Sequence, residues 1–544
     1  MTYDTTLLET LPPPQPTPGK KDDLPECLKR DRLNTGWFAQ WTASQLGVVI
    51  TLGVIFLLTS LNKLNHTDSW GHLCYGRWIA QHHALPAIDP FAATQSSVHF
   101  VPSAWLAQVL GYETIQTFGV EGLLLSHAVL ATLACGLMIA AIRARGVPLC
   151  WAIAGGAAYY ILSLPIVGTL RPQLFGMVGA AAVLFAAAQL PTKRLPLVWL
   201  PVLFLLWANL HGSFVMGLAM LGICAAGNTW RIFGEKRNLD ATAKDLSSTR
   251  LWAGLGLAIL GAAINPRGLV LFADVLGFGK SAALADISEW RSLTLASISG
   301  VLFFVTLIGA IPIFKLSTRR WELSDLLLLG VFALATFSAM RMLAWWAAVW
   351  PFAIMPYAVS LWESRFQREE TPEGEPNAMR AVLGVGFAFM VLLMAPPSNQ
   401  LILGRERGIG AVADDGTPIY IADEIQRREL KGRFFSPMDW ADYFVWTRGD
   451  GFRPLAYSHV HMLSPEVWAG YRAIGAGDPK WLSLADEHQL RYLVVSKKTN
   501  NKLAGLALQY SNQKHSRATL LYQDQHSLLF ELRPQAPANA TAAK

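Results

Sequence analysis

Residues 42–61 read TASQLGVVITLGVIFLLTSL, and residues 65–73 read NHTDSWGHL. The first stretch carries no charge over about twenty residues, the length that crosses a hydrocarbon core. The second places an acid, two histidines and an indole just where such a helix leaves the membrane. A charge-free run of this length reads as a membrane span. The polar residues after it read as a helix end or as a site at the membrane surface.

The same pattern recurs from residue 43 to residue 396. Of 544 residues, 52% are hydrophobic and 15% charged, against about 25% charged in a soluble domain. The expected fold is a polytopic α-helical membrane protein with about eleven spans. They lie near 43–62, 120–142, 149–168, 171–190, 195–209, 211–230, 251–265, 296–314, 323–340, 342–361 and 380–396. The net charge of +7 is small for this length. It fits basic cytoplasmic loops and speaks against nucleic-acid binding. Five cysteines are scattered without a CxxC pair, and none follows Cys224. No disulfide framework or zinc site is encoded by that spacing.

Basic residues fall in alternate loops: RARG (143–146), TKR (192–194), RIFGEKRNLDATAKDLSSTR (231–250), KLSTRR (315–320) and RFQREETPEGEPNAMR (365–380). That set is expected to face the cytoplasm. The Pro-rich N-terminus, residues 1–42, is then cytoplasmic and disordered. A transmembrane domain covers 43–396, with a first external loop at 63–119. Residues 397–535 lie outside as a small extracytoplasmic α/β domain, and 536–544 form a disordered tail. The domain reading rests on the strand-like runs RPLAYSHV (453–460), RYLVVS (491–496) and ATLLYQDQHSLLFEL (518–532). The last divides at DQH into a candidate hairpin. Helix-like SPEVWAGYRAIG and KWLSLADEHQL lie between them.

The unusual polar residues then fall mostly on the external side. They are Asp68 and His72, Asp89 in DPF (89–91), Arg171 in RPQ (171–173), Trp207, Asn209 and His211 in WANLHGSF (207–214), Arg267 in NPRG (265–268), Glu289 and Trp290 in SEW (288–290), and Arg341. Each has a plain reading. Thr67 or Asp68 caps an amphipathic helix; Asp89 starts a turn before Pro90; Arg171 begins a helix; Asn209 and Gly212 make a tight turn. Ionisable groups near membrane depth are nevertheless expensive and usually mark a substrate path. External arginines run against the positive-inside bias, and several on one face need an anionic partner. The guanidinium fork matches phosphate oxygens. A lipid-phosphate-linked sugar suits this setting. Arg171, Arg267 or Arg341, with His211 and Asn209, would hold the phosphate. A carboxylate would take the proton of an attacking hydroxyl.

DSWGHLCYGRWIAQHHALPAIDPFAATQ, RPQLF, WANLHGSFVMG, NPRG and GRFFSPMDWADYFVW together resemble segments of the C-type (GT-C) integral-membrane glycosyltransferases. The resemblance runs over roughly 43–532. Related members include protein O-mannosyltransferases and lipid A aminoarabinose transferases, which use polyprenyl-phosphate sugars. It implies an inverting glycosyltransferase of the cytoplasmic (inner) membrane, with a polyprenyl-phosphate-linked donor and a glycan, lipid or protein acceptor. Asp68 is implied as catalytic base or metal contact, with His72 beside it; Trp207, Asp89, Glu289 and Trp290 are candidate substrate contacts. Some members pair the acid with a second one as DxD or DE. Ser69 and Trp70 stand there instead, so a divalent metal is left open, and Asp89 or Glu289 completes a site only if the fold brings it close. The alternatives are a transporter or flippase of lipid-linked sugars, or an enzyme like O-antigen ligase with a diphosphate-linked donor. A transporter should show polar residues at both faces or mid-span.

Overall fold

The computed structural model describes residues 40–64, 67–94, 100–280, 282–366 and 376–534. The N-terminus and tail expected to be disordered lie almost wholly outside the described residues. Twelve helices matter for the site: α1 Ala43–Ser60, α2 Thr67–His82, α3 Trp105–Ala144, α4 Leu149–Val167, α5 Gln173–Gln189, α6 Pro196–Leu210, α7 Phe214–Lys236, α8 Leu246–Ala262, α9 Ile298–Leu316, α10 Leu323–Ser338, α11 Leu343–Phe366 and α12 Ala378–Met394. Each apolar run read as a span falls on one of them. A backbone surrounded by apolar side chains satisfies its own hydrogen bonds best as a helix.

Among the described residues, six helices are long and apolar enough to cross a membrane. They are Ala43–Ser60, Trp105–Ala144, Leu149–Val167, Phe214–Lys236, Ile298–Leu316 and Met340–Phe366. Ala378–Met394 and Pro396–Ile402 make a seventh if that pair, bent by 82°, counts as one. Gln173–Gln189, Pro196–Leu210 and Leu323–Ser338 are apolar but shorter. The run read as 251–265 is instead α8. It starts earlier because the Asp245 side chain caps the amides of Ser247 and Ser248.

Helix α3 breaks at Gly119, whose φ of 62° suits glycine. The break exposes the amides of a new helix start. Glu406 accepts from Val120 N at 3.2 Å, and Arg407 grips the buried Glu121 with two bonds of 2.6 Å.

At the far end of the bundle, Arg145 donates to both oxygens of Asp325 at 2.8 and 2.9 Å. It also donates to the Phe352 carbonyl at 2.8 Å. That carbonyl lies four residues before Pro356, which has no N–H to offer it. The Tyr357 hydroxyl donates to Asp325 Oδ2 at 2.8 Å. Arg145 and Asp325 have side chains 8% and 1% exposed. Removing one partner strands a buried charge, at a cost of about 3–5 kcal/mol. Arg145→Ala is therefore expected to lower the unfolding temperature in detergent clearly. An unchanged midpoint would contradict this.

The C-terminal region carries a five-stranded mixed sheet in the order β2-β1-β3-β5-β4. The strands are β1 Gly432–Phe435, β2 Phe452–Pro454, β3 Tyr492–Ser496, β4 Ala518–Gln523 and β5 Ser527–Leu532. β4 and β5 form the antiparallel hairpin that DQH divides. RPLAYSHV is a strand only at its start; the rest is a buried loop. Helix α13, Met438–Arg448, lies directly on α2. Arg77 donates to the carbonyls of Trp446 and Val445 at 2.9 and 3.1 Å, satisfying a helix end. At Gly71, a Cβ would sit 2.3 Å from Asp442 Oδ1. Helix α2 is thus held beneath the C-terminal region, with Trp70, Leu73, Tyr75 and Ile79 buried.

Candidate active site

Asp68 lies in the first turn of α2, where the partial positive charge of the helix end favours a carboxylate. Its Oδ2 is 3.5 Å from Arg171 Nε. Ser69 donates to the Leu170 carbonyl at 2.6 Å, which fixes the RPQ turn beside α2. Arg171 Nη1 also donates to both oxygens of Glu289, at 2.8 and 3.0 Å. Glu289 and Trp290 belong to a single 3-10 turn, Ser288–Trp290. The Arg341 guanidinium lies over the Trp290 ring, 4.3 Å from its centroid. Met340 N donates to the Arg291 carbonyl at 3.0 Å and ties that turn to the start of α11. Arg341 is within electrostatic reach of Glu289, Arg171 and Asp68.

Two carboxylates and two guanidiniums from four distant parts of the chain therefore gather in one cluster. The side chains of Asp68 and Glu289 are 28% and 33% exposed, and that of Arg171 is 12%. The acids are reachable from outside, with the arginine beneath them. A mostly apolar groove leads away from the cluster. Leu64, Leu110, Leu123, Leu130 and Phe175 line it, together with Ser69, His72, Gln108 and Arg171. Its walls come largely from α2, α3 and the start of α5.

His72 lies one turn along α2 from Asp68. His211 is within electrostatic reach of Arg341 and His72, and its Nδ1 is 2.7 Å from Ser213 Oγ. Two further histidines come from the C-terminal region. The His459 ring is 6.0 Å from that of His72 and 5.6 Å from that of His461. His461 lies against Phe278 at 4.5 Å and feels the charge of Arg341. Sequence reading did not single out His459, His461 or Gln108. SHVHML carries two histidines at i and i+2, but nothing local links them to a motif nearly 400 residues earlier.

Burial, with His461 and His72 nearby, holds His459 well below the ordinary imidazole range. Burial and the Arg341 charge push His461 down to about 4. In the unfolded chain both take up protons near pH 6.5. Their contribution to stability is thus complete above about pH 6.5 and is lost as pH falls toward 4. The unfolding temperature should drop by several degrees between pH 7 and pH 5, and His461→Gln should flatten that slope. A wild-type profile without slope would contradict it.

The other sequence candidates are placed differently. Asp89 is buried and accepts from Phe91 N at 2.8 Å and the Tyr75 hydroxyl at 3.2 Å. It closes its turn and meets the C-terminal region through Tyr75, whose hydroxyl is 2.7 Å from that of Tyr457. Trp207 is 2% exposed and donates to Ser213 Oγ at 3.1 Å. Its ring packs where Gly179 and Gly217 lack a Cβ. Asn209 accepts from Trp105 Nε1 at 2.7 Å and donates to the carbonyls of Leu205 and Ile264. As placed, Trp207 and Asn209 hold the turn that presents His211. Arg267 pairs with Asp274 at 2.7 Å. Of the two acids weighed as a second carboxylate, the fold brings Glu289 to Arg171, while Asp89 binds tyrosine. Among the described residues no three His, Cys, Asp or Glu side chains gather as a metal site. The Arg171 guanidinium bridges Asp68 and Glu289.

No known family's sequence model matches the chain, and no curated protein matches its sequence. Solved structures do. The apo oligosaccharyltransferase of Archaeoglobus fulgidus superposes with a TM-score of 0.53 at 15% identity, over 85% of this chain and 71% of that one. The arabinofuranosyltransferase AftD from mycobacteria gives 0.52 at 14% identity, over 90% of this chain and 40% of that one. This chain has the GT-C fold. The A. fulgidus oligosaccharyltransferase AglB, in complex with an inhibitory peptide and a dolichol-phosphate, gives 0.50 at 14% identity, over 91% of this chain and 75% of that one. Within the GT-C fold of this chain, the acid–arginine cluster sits where α2, the RPQ turn, the 288–290 turn and the start of α11 converge.

Proposed function

We propose that this protein is a glycosyltransferase of the cytoplasmic (inner) membrane. It moves a sugar from a polyprenyl-phosphate donor to an acceptor on the extracytoplasmic side. The observation that carries this reading is the acid–arginine cluster at the polar end of an apolar groove walled by α2, α3 and the start of α5. The lipid tail lies along Leu123, Leu130 and Phe175. Arg171 and Arg341 hold the phosphate, which displaces Glu289 or shares Arg171 with it. Asp68 takes the proton from the acceptor hydroxyl as its oxygen bonds to the anomeric carbon. The bond from that carbon to the phosphate oxygen breaks. The electron pair leaves on the lipid phosphate, where the guanidiniums stabilise it. Attack opposite the leaving group inverts the anomeric centre. Trp290 packs beside the phosphate, and His72 and His211 flank the reacting bond.

In this reading the helix count is about eleven crossings, the N-terminus is cytoplasmic, and 397–535 is an extracytoplasmic domain closing over α2. The structure of AglB with a dolichol-phosphate supports the class of carrier. Arg145, Asp325 and Tyr357, at the other end of the bundle, bond to one another, to the Phe352 carbonyl and to Glu322. A closed knot of that kind favours an enzyme over a transporter that must open both ways. Mass spectrometry of lipids copurifying in mild detergent tests the proposal. A polyprenyl monophosphate, bare or glycosylated, supports it. A diphosphate-linked glycan moves the reading to an enzyme like O-antigen ligase. No polyprenyl lipid, and no uptake of added polyprenyl phosphate, overturns it.

A further inference from the structure

The groove beside the acid–arginine cluster holds one polar atom that the chemistry above leaves unused. Of the hydroxyls lining it, Ser69 donates to the Leu170 carbonyl, Thr114 to that of Leu110 and Ser126 to that of Gly122. Gln108 differs. It is 3% exposed, lines the groove and places its Nε2 3.2 Å from His72 Nδ1. Its Oε1 has no hydrogen-bond partner among the described residues. Because Nε2 donates to His72 Nδ1, the atom left over is the acceptor Oε1. An unpaired buried amide atom is costly in a finished core. Gln108 lines the groove, where a ligand's polar group that settles against it can satisfy that atom.

The place is rigid. A Cβ at Gly76 would lie 2.0 Å from the Gln108 carbonyl oxygen, so α2 and the first half of α3 touch backbone to backbone there. His72 sits four residues after Asp68 on the same helix face. A group bound at Gln108 therefore lies next to the proposed reacting bond. Arg171 lines the same groove, so a single ligand can reach both.

Resting on the donor class proposed above, we infer that Gln108, braced by His72, reads a hydroxyl of the sugar carried on the lipid phosphate. An ionised phosphate and a polyprenyl tail offer no hydrogen to Gln108 Oε1. A sugar hydroxyl does. Gln108 is thus a donor-recognition residue that distinguishes a loaded lipid carrier from an empty one.

The test measures binding of a long-chain polyprenyl phosphate, bare and carrying a hexose or a pentose, to the purified full chain. Wild type should prefer at least one glycosylated form. Gln108→Met keeps the length and loses the acceptor. It should bind bare lipid phosphate within about twofold of wild type and lose roughly tenfold in affinity for the preferred glycosylated form. Equal losses for both lipids, or an undiminished preference, would overturn the inference. Should the methionine variant fail to fold, Gln108→Glu decides, since it retains an acceptor oxygen: a kept preference supports the inference and a lost one overturns it. Wild-type protein that binds neither lipid rejects the donor class itself. Wild type that binds both equally rejects only the role of Gln108.

Discussion

Asp68→Asn is expected to lower the rate of sugar transfer by about 10²- to 10⁴-fold, the range a positioned general base contributes. Asparagine keeps the shape of the side chain and its place in the first turn of α2, but it cannot take the acceptor's proton. Arg171 would lose one counter-charge 3.5 Å away and keep Glu289 at 2.8 Å. The net charge around a donor phosphate therefore becomes more positive, and donor affinity should hold or tighten. The expected signature is a collapse of kcat with no rise in the donor Kd. Asp68→Glu, which retains a base at a displaced position, should recover part of the rate. An asparagine variant that transfers at the wild-type rate removes Asp68 from the chemistry.

The second large effect is expected at Arg171. Its guanidinium contacts both carboxylates. Arg171→Ala would leave Asp68 and Glu289 repelling each other and any incoming phosphate. A loss of about 10²- to 10³-fold in kcat/KM is expected, comparable to removing a preorganised donor from a charged leaving group. Unlike the change at Asp68, it should weaken donor binding as well as turnover. Arg171→Lys restores the charge and not the planar fork, so its recovery should be partial. Titration with a polyprenyl phosphate alongside the transfer assay separates the two effects. Unchanged donor affinity in the alanine variant would contradict the assignment.

The apolar runs were legible because their composition fixes their conformation, as in α1 and α9. How many of them cross a membrane was not, since α5, α6 and α10 are shorter than a full crossing. Basic loops alternating with poor ones brought Asp68, Arg171, Glu289 and Arg341 into one group of candidates, and the fold gathers those four. Arg267 and Asp89 carry the same residue types and Asn209 is polar like them, and local pairing uses all three: Asp274, Tyr75, and three polar groups around the turn. Polarity at a helix end announces that a residue needs a partner and does not say whether the chain already supplies one. Gln108, His459 and His461 escaped for the opposite reason. Each looks ordinary in its own stretch and gains meaning only from distant partners, His72 of α2 for Gln108 and His459, and Phe278 and Arg341 for His461. In the same way, nothing in RARG or in the run from 323 announces the knot between Arg145 and Asp325.

The most direct measurement is release of bare polyprenyl phosphate from a radiolabelled glycosyl donor in proteoliposomes, followed with wild type and Asp68→Asn side by side. The account predicts acceptor-dependent transfer of label and release of polyprenyl phosphate by wild type, and donor bound but unreacted on the asparagine variant. Equal release by both proteins, or none by a wild type that binds the donor in the presence of cell-envelope acceptors, would contradict it.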